Sequence, residues 1–407
     1  MCDQNFAKIK KWVEVALKQY DIFNYEIEIE GQTDKGDGFA GDINFIKVFG
    51  HTKSGAKKTI YLATKSTKDN EKVREKAPLK EASFKEIFVY DKVRPTFQKF
   101  QEERGVEKWI DIMPYCYATD VSDNSEVLIF ENLRTEGFQL WNKSLPMTIR
   151  HIQLVLEAYG WWHALSFALK IQKPDVFKEL VRDNVNMFTY VLTEMKFDVI
   201  MEREFQNAMA LNENDLDILK HVDYSEEDVM YAFKDMYFEE ADYHVILHGD
   251  CWNNNFLFKS LDDKTNPSAV RVLDWQCSGL GSPAFDLSHF IYSCVDTEKY
   301  PDVKELLKIY YNNFTKYLTL LGCDPEKAFS FEKLIEHWKK FSRFGLFLSC
   351  FVIRVCLMET SKVPDFTESI DKDEDLTETL SFGVSTDQEH LRRIRSNFIH
   401  YCKNSTQ

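Results

Sequence analysis

Hydrophobic and polar positions change their period along the chain. Phe6, Ile9, Val13, Leu17 and Tyr20 recur at helical spacing, so residues 4–20 are expected to form an amphipathic helix. Tyr25 to Ile29 alternates as a strand. A Gly-rich turn, GDGFAGD at 36–42, separates it from further strands at 43–50 (INFIKVFG) and 57–66 (KKTIYLATKS). Helical spacing returns over 81–102, and strands are expected around 109–118 and 125–131. From 146 onward helical periodicity dominates, interrupted once at 244–276 by short apolar runs of β type. The most apolar stretch, Phe344 to Ile353, is bracketed by Arg343 and Arg354; it is too short to span a bilayer and reads as a buried helix. Leu391, Ile394 and Phe398 mark a last helix.

These elements predict an α+β, two-lobed molecule. A small antiparallel-sheet N-lobe takes residues 1–134 and a large, mainly helical C-lobe takes 135–407. Asn132, Thr135, Glu136 and Gly137 interrupt the apolar pattern at the junction. No repeat or low-complexity linker separates the lobes, so they are expected to share one cleft. With 407 residues, 44% of them hydrophobic, the chain can bury a large core. A net charge of −15 argues against nucleic acid as the main partner, since no basic stripe is available to neutralise phosphates. The first residues carry no basic-then-apolar leader, and nine cysteines are scattered without a CxxC pair. Both features fit a reducing, cytoplasmic location with no membrane partner. The pattern does not fix the oligomeric state.

The chemistry concentrates in VILHGDCWNNNFLF at 245–258 and VRVLDWQ at 270–276. Asp250 and Asn255 share a loop between strands, and Asp274 ends the next strand. An Asp, an Asn and a second Asp on a strand–loop–strand turn supply one base and two hard oxygen ligands. Phosphoryl transfer needs positioning and charge neutralisation above all, and Mg²⁺ accepts a few oxygen ligands while keeping its waters. The Asp250-to-Asn255 spacing matches the catalytic loop of kinases; His248–Gly249–Asp250 stands where they carry His-Arg-Asp, and Asp274–Trp275–Gln276 where they carry Asp-Phe-Gly. Asp250 is the expected base. His248 is grouped with it as catalytic, holding the loop backbone and Asp250 in place. Asn255 and Asp274 are the expected Mg²⁺ ligands. Asp286 is expected to tie the segment after DWQ to the loop or to cap a helix, and His163 to be a satisfied core histidine. Other patterns carry less. His244 and His248 are four apart but lie on a strand-like run without the HExxH glutamate. DKDED at 371–375 lacks the Gly and the terminal Glu of a calcium loop.

HGDCWNNNFLF followed by LDWQ resembles the aminoglycoside phosphotransferase and choline kinase superfamily. Within it, the HGD-x-W-x-N-N and D-W-Q signatures resemble the ecdysteroid kinase-like (CHK kinase-like) family. FKEIFVYDKVRPTFQKF at 84–100, VLIFENLRTEGF at 127–138, WWHALSFAL at 161–169 and SPAFDLSHFIY at 282–292 agree in order. The resemblance implies a protein-kinase-like fold that uses ATP and Mg²⁺. It places the phosphate-binding lysine at Lys65 with Glu86 as its ion-pair partner. The turn bearing Gly36, Gly38 and Gly41 would lie over the ATP phosphates, and backbone groups of Phe130, Glu131 and Leu133 would hold the adenine edge. It also implies a small-molecule alcohol as acceptor: an ecdysteroid, another steroid or a hydroxylated xenobiotic. A choline- or ethanolamine-type kinase, a catalytically silent binding protein on the same fold and a metallophosphoesterase are the competing readings. The last would need further His and Asp ligands at other strand ends, and these are not found.

Overall fold

The computed structural model describes residues 2–18, 20, 22–32, 41–68, 70–107, 111–122, 125–182, 187, 197–210, 222, 224–260, 263–359, 369–370, 372, 374, 376–379 and 382–405. The amphipathic N-terminal segment is helix α1 (Cys2–Leu17). Strands β1 (Phe23–Gln32), β2 (Gly41–His51) and β3 (Lys57–Thr67) follow, then helices α2 (Glu71–Lys76), α3 (Leu79–Phe88) and α4 (Arg94–Glu103), then β4 (Cys116–Ser122) and β5 (Ser125–Glu131). The five strands form one antiparallel sheet in the order β1-β2-β3-β5-β4. Alternation decides its two faces. Ile46, Val48, Ile60, Leu62, Val127 and Ile129 meet Ile9, Trp12, Val13 and Leu17 of α1 in a small core. The opposite face, with Ile43 and Phe45 of β2 and Ala63 and Lys65 of β3, is partly exposed.

The strand expected at 109–118 begins only at Cys116. The Asp111 carboxylate accepts the Met113 N–H at 3.1 Å, which turns the chain, and Pro114 has no N–H to give to a ladder. The helix expected at 81–102 is longer, and it contains a π-helical turn, Val89–Val93, between α3 and α4. Such a turn inserts one extra residue into a helix. Although this helix belongs to the first 134 residues, its buried side chains Ile87, Val89, Tyr90, Val93, Phe97 and Phe100 belong to the main core. Phe97 meets Trp162 edge-on at 4.8 Å, and Gln101 accepts a hydrogen bond from the Tyr317 hydroxyl.

After β5 a short 3₁₀ turn, Leu133–Glu136, leads through Gly137 into β6 (Phe138–Leu140) and then α5 (Ile149–Gln172), buried along most of its length. Helices α6 (Pro174–Val181), α7 (Phe197–Ala210) and α8 (Glu226–Phe233) precede β7 (Val245–Leu247), β8 (Phe256–Lys259), β9 (Ala269–Val272) and β10 (Gly279–Gly281). The chain ends in α9 (Pro283–Cys294), α10 (Val303–Leu320), α11 (Pro325–Ala328), α12 (Phe331–Phe341), α13 (Arg343–Leu357), α14 (Leu376–Thr379) and α15 (Gln388–Ser405). The apolar stretch 344–353 lies in α13 and is buried there except for the partly exposed Phe351. Among the described residues no helix is long and apolar enough to cross a membrane.

Candidate active site

Two short strand pairings bring the loop residues together. β8 and β9 pair antiparallel with Phe256 opposite Val272, which sets Asn255 beside Leu273; the Leu273 N–H donates to the Asn255 carbonyl at 2.9 Å. Asp274, the next residue, therefore follows β9 next to the loop that starts at His248. It adopts a left-handed backbone (φ 60°), a conformation that costs energy outside glycine and recurs at functional sites. β7 pairs with β10 so that Leu247 faces Gly279, and the segment after Asp274 folds back under the loop. Gly249 (φ 89°) lies so close to that segment that a Cβ there would stand 2.2 Å from the Cys277 carbonyl oxygen, so only glycine fits.

Asp250 is held by its neighbours. Asn255 Nδ2 donates to the Asp250 Oδ2 at 2.7 Å and to its main-chain carbonyl at 2.9 Å, and the Trp252 indole N–H donates to the same Oδ2 at 3.2 Å. Oδ2 is thus satisfied twice, leaving Oδ1 to accept a proton. Burial, then the charge of Asp274, push the Asp250 carboxyl up to about 7, against the pull of Asn255, Trp252 and Lys65.

The loop is anchored from below by Asp286 on α9. Its Oδ2 accepts the His248 N–H at 2.8 Å and its Oδ1 the Gly249 N–H at 2.9 Å, and His163 Nε2 lies 3.1 Å from Oδ2. Burial alone would raise Asp286, but the hydrogen bond and charge of His163, with the donors of His248, hold it below the usual carboxylate range. His163 also meets the Tyr310 hydroxyl at 3.1 Å, so it is a satisfied core group. His248, grouped above as catalytic, does not face the cleft. It is fully buried, with Nε2 bonding the Leu273 carbonyl at 2.8 Å and Nδ1 the Tyr159 hydroxyl at 2.9 Å. A carbonyl can only accept, so Nε2 carries the proton, and burial keeps the ring neutral by lowering its pKa. His248 thus ties the loop to Leu273 and to α5 through both ring nitrogens.

Across the cleft, Lys65 Nζ donates to Glu86 at 2.6 Å and to Asp274 Oδ1 at 2.6 Å. Burial lowers the Lys65 ammonium, yet Asp274 and Glu86 outweigh it and hold the group above its ordinary value. Burial raises Glu86. Gln276 Nε2 lies 3.4 Å from the other Asp274 oxygen. Three carboxylates, Glu86, Asp250 and Asp274, thus surround one ammonium. That deficit of positive charge fits a divalent cation, and the donors fit a hard one. Both Asn255 bonds to Asp250 use Nδ2, so its Oδ1 would be the atom left to hold a cation. No group of three or more His, Cys, Asp or Glu side chains able to hold a metal exists among the described residues. A cation here therefore depends on the Asn255 amide, on water and on the nucleotide.

The remaining expected residues fall as follows. Gly36 and Gly38 lie outside the described residues. Gly41 is the first residue of β2, opposite Thr67, where a Cβ would meet the Ser66 carbonyl at 2.5 Å. Phe130 packs its ring on Tyr90 with centroids 4.9 Å apart. The Glu131 N–H already donates to the Tyr115 carbonyl at 3.0 Å, so that amide is not one that faces a nucleotide, and Leu133 is buried. Periodicity and spacing gave no signal for Tyr159, which sits on α5 eighty-nine positions from the His248 it holds.

The sequence profile of the ecdysteroid kinase-like family matches residues 35–323. No curated protein matches the chain. Among solved structures, the chain is similar to a point mutant of aminoglycoside 2′-phosphotransferase-IIIa in its GDP complex, with 12% identity over 91% of this chain and 96% of that one and a TM-score of 0.42. It is likewise similar to the GDP complex of the wild-type enzyme, with 11% identity over 95% and 97% and a TM-score of 0.40. With well over half its length matched by the profile, the chain belongs to the ecdysteroid kinase-like family and is a phosphotransferase that acts on a hydroxyl acceptor.

Proposed function

We propose that the protein is an ATP-dependent small-molecule kinase that moves the γ-phosphate to an alcohol hydroxyl of an ecdysteroid, another steroid or a hydroxylated xenobiotic. The observation that carries this reading is the convergence of Asp250, Asn255 and Asp274 with the Lys65–Glu86 pair across one cleft. Asp250 Oδ1 accepts the proton of the attacking hydroxyl while Asn255 and Trp252 keep the carboxylate turned toward it. Lys65 leaves Asp274 to bind phosphate oxygens, and Glu86 keeps its ammonium in place. Asn255 and Asp274 would hold Mg²⁺, which when bound supplies charge neutralisation at the phosphates. The tie from Asp286 fixes the loop in advance, so the hydroxyl and the base meet without reorganisation.

The test is phosphotransfer from Mg·ATP to a panel of ecdysteroids, other sterols, choline, ethanolamine and hydroxylated xenobiotics, read by mass spectrometry, with Asp250→Asn as control. A product made by the wild type and absent with Asp250→Asn supports the reading and names the acceptor class. Choline or ethanolamine as the sole accepted substrate replaces the steroid assignment. A wild type that binds no Mg·ATP sinks the kinase reading in favour of a silent binding protein.

A further inference from the structure

The last helix, α15, lies side by side with α13. The Ser342 and Ser405 hydroxyls meet at 2.8 Å, and Asn397 Nδ2 donates to Ser349 Oγ at 3.3 Å and to the Tyr292 carbonyl at 2.8 Å. One helix thus advances from 342 to 349 while the other runs back from 405 to 397, so the pair is antiparallel. Carried on by about one and a half turns, this register sets Arg354 level with residues 391–392, between His390 and Arg393. His390 and Arg393 stand at i and i+3 and share a helix face.

Arg393 and His390 are 3% and 4% exposed. Arg393 Nη2 donates to the Ser293 carbonyl at 2.8 Å, and Arg354 Nη2 to the Phe382 carbonyl at 2.9 Å. Five other nitrogens are buried with no hydrogen-bond partner: Arg354 Nη1, Arg393 Nε and Nη1, and both ring nitrogens of His390. The carboxylates closest in charge to them are spent elsewhere. Asp387 accepts the His390 main-chain N–H at 2.8 Å, Glu389 pairs with Arg392 at 2.9 Å, and Glu204 accepts from Asn207 Nδ2 at 3.1 Å. Among the described residues, no carboxylate forms an ion pair with Arg354 or Arg393. Burial, then the charge of Arg354, lowers the His390 imidazole to about 4, so the ring is neutral at pH 7 and offers one N–H. Burial lowers the Arg393 guanidinium too, yet an arginine stays charged.

A buried charge without a counter-charge is costly, and so is a buried donor without an acceptor. One bound oxyanion would remove both costs. Its charge offsets the two guanidiniums, and its several oxygens accept from Arg354, Arg393 and His390 together. Guanidinium groups match the geometry of such oxygens better than any other side chain.

We propose that Arg354, His390 and Arg393 form a binding site for a phosphate-type oxyanion between α13 and α15. The site does not depend on the kinase reading. Arg354 is the partly exposed member, so the anion enters past its side chain. The site also reaches the catalytic loop at second hand. Arg393 grips the Ser293 carbonyl at the end of α9, and the thiol of the next residue, Cys294, donates to the Cys251 carbonyl at 3.8 Å.

The test titrates inorganic phosphate and phenyl phosphate into the full chain, at an ionic strength held constant with chloride, and reads Tm and calorimetric heat. Inorganic phosphate should bind once per chain and raise Tm by roughly 3–6 °C at about a hundred times its dissociation constant. Lys65→Met, which removes the ammonium that could hold phosphate in the cleft, should leave this response unchanged. Arg393→Met and Arg354→Met should each weaken phosphate at least about tenfold. If Arg393→Met does not fold, Arg354→Met decides alone. Phenyl phosphate binding as tightly as phosphate would assign the site to a phosphomonoester, and its exclusion would assign the site to the free anion. No response in the wild type, a response that Lys65→Met abolishes, or one that the arginine variants retain overturns the inference.

Discussion

On the loop wall of the cleft, the side chains that fix Asp250 from below are out of reach of solvent: His163 and Asp286 are 0% and 1% exposed. On the sheet wall, Lys65 and Asp274 keep 17% and 26% of their side chains exposed, and their arrangement depends on two ion-pair contacts at 2.6 Å. The first wall is a buried polar network in which each member satisfies another, and such networks rigidify what they hold. The second is a row of three charges in which Glu86 is buried while Lys65 and Asp274 remain partly open. On the proposed function, the position of the base is folded in, whereas the phosphate side would be finished by Mg·ATP.

That difference can be tested one residue at a time. Asp250→Asn should cost the largest factor, about 10²- to 10⁴-fold in transfer, with Mg·ATP affinity almost unchanged; kinetics beside calorimetry separate the two. Asp286→Ala should act through folding. It strips the His248 and Gly249 amides and His163 of their buried acceptor, at a cost of about 3–5 kcal/mol, seen as a lower Tm and urea midpoint. Asp274→Ala should weaken Mg·ATP by at least about tenfold while Tm moves little. Glu86→Gln should weaken it less, about three- to tenfold, because Asp274 still holds Lys65. If Glu86→Gln lowered Tm as far as Asp286→Ala, the contrast between the walls would fail.

Acid gives a finer version of the same contrast. Asp286 has a folded pKa below its unfolded value of roughly 3.9, so its stabilisation is complete at neutral pH and is lost as pH falls through the lower folded value. The Tm gap between the wild type and Asp286→Asn should stay constant above about pH 5 and narrow below pH 4.

The two walls were also unequally legible in the sequence. HGD and DWQ place an Asp, an Asn and an Asp at offsets that their short strands convert directly into proximity, so the loop residues could be named in advance. The Asp286 tie is expected only as an alternative to a helix cap, because the amides that donate to it lie 37 and 38 positions away and only packing brings them together. The catalytic expectation for His248 rests on its place in the triplet; its burial against Tyr159 of α5 is not legible there. The Lys65–Glu86 pair followed the order of elements. The strand start at Cys116 was missed because a Pro and an Asx turn outweigh the apolar pattern before it. The grouping of Arg354 with His390 and Arg393 depends on the antiparallel register of α13 and α15, which periodicity does not fix.

The π-helical turn at Val89–Val93 gives the long helix a mechanical meaning. Its C-terminal half is rooted beside Trp162 and Tyr317 in the large lobe, and its N-terminal half carries Glu86 to a lysine on the sheet. A rod clamped at one end and touching a moving part at the other is a lever. Any change in the angle between the lobes must stretch or shorten the Lys65–Glu86 contact unless the rod itself yields. The surplus residue wound into that turn is where it can yield, so the Lys65–Glu86 contact can persist while the angle between the lobes changes.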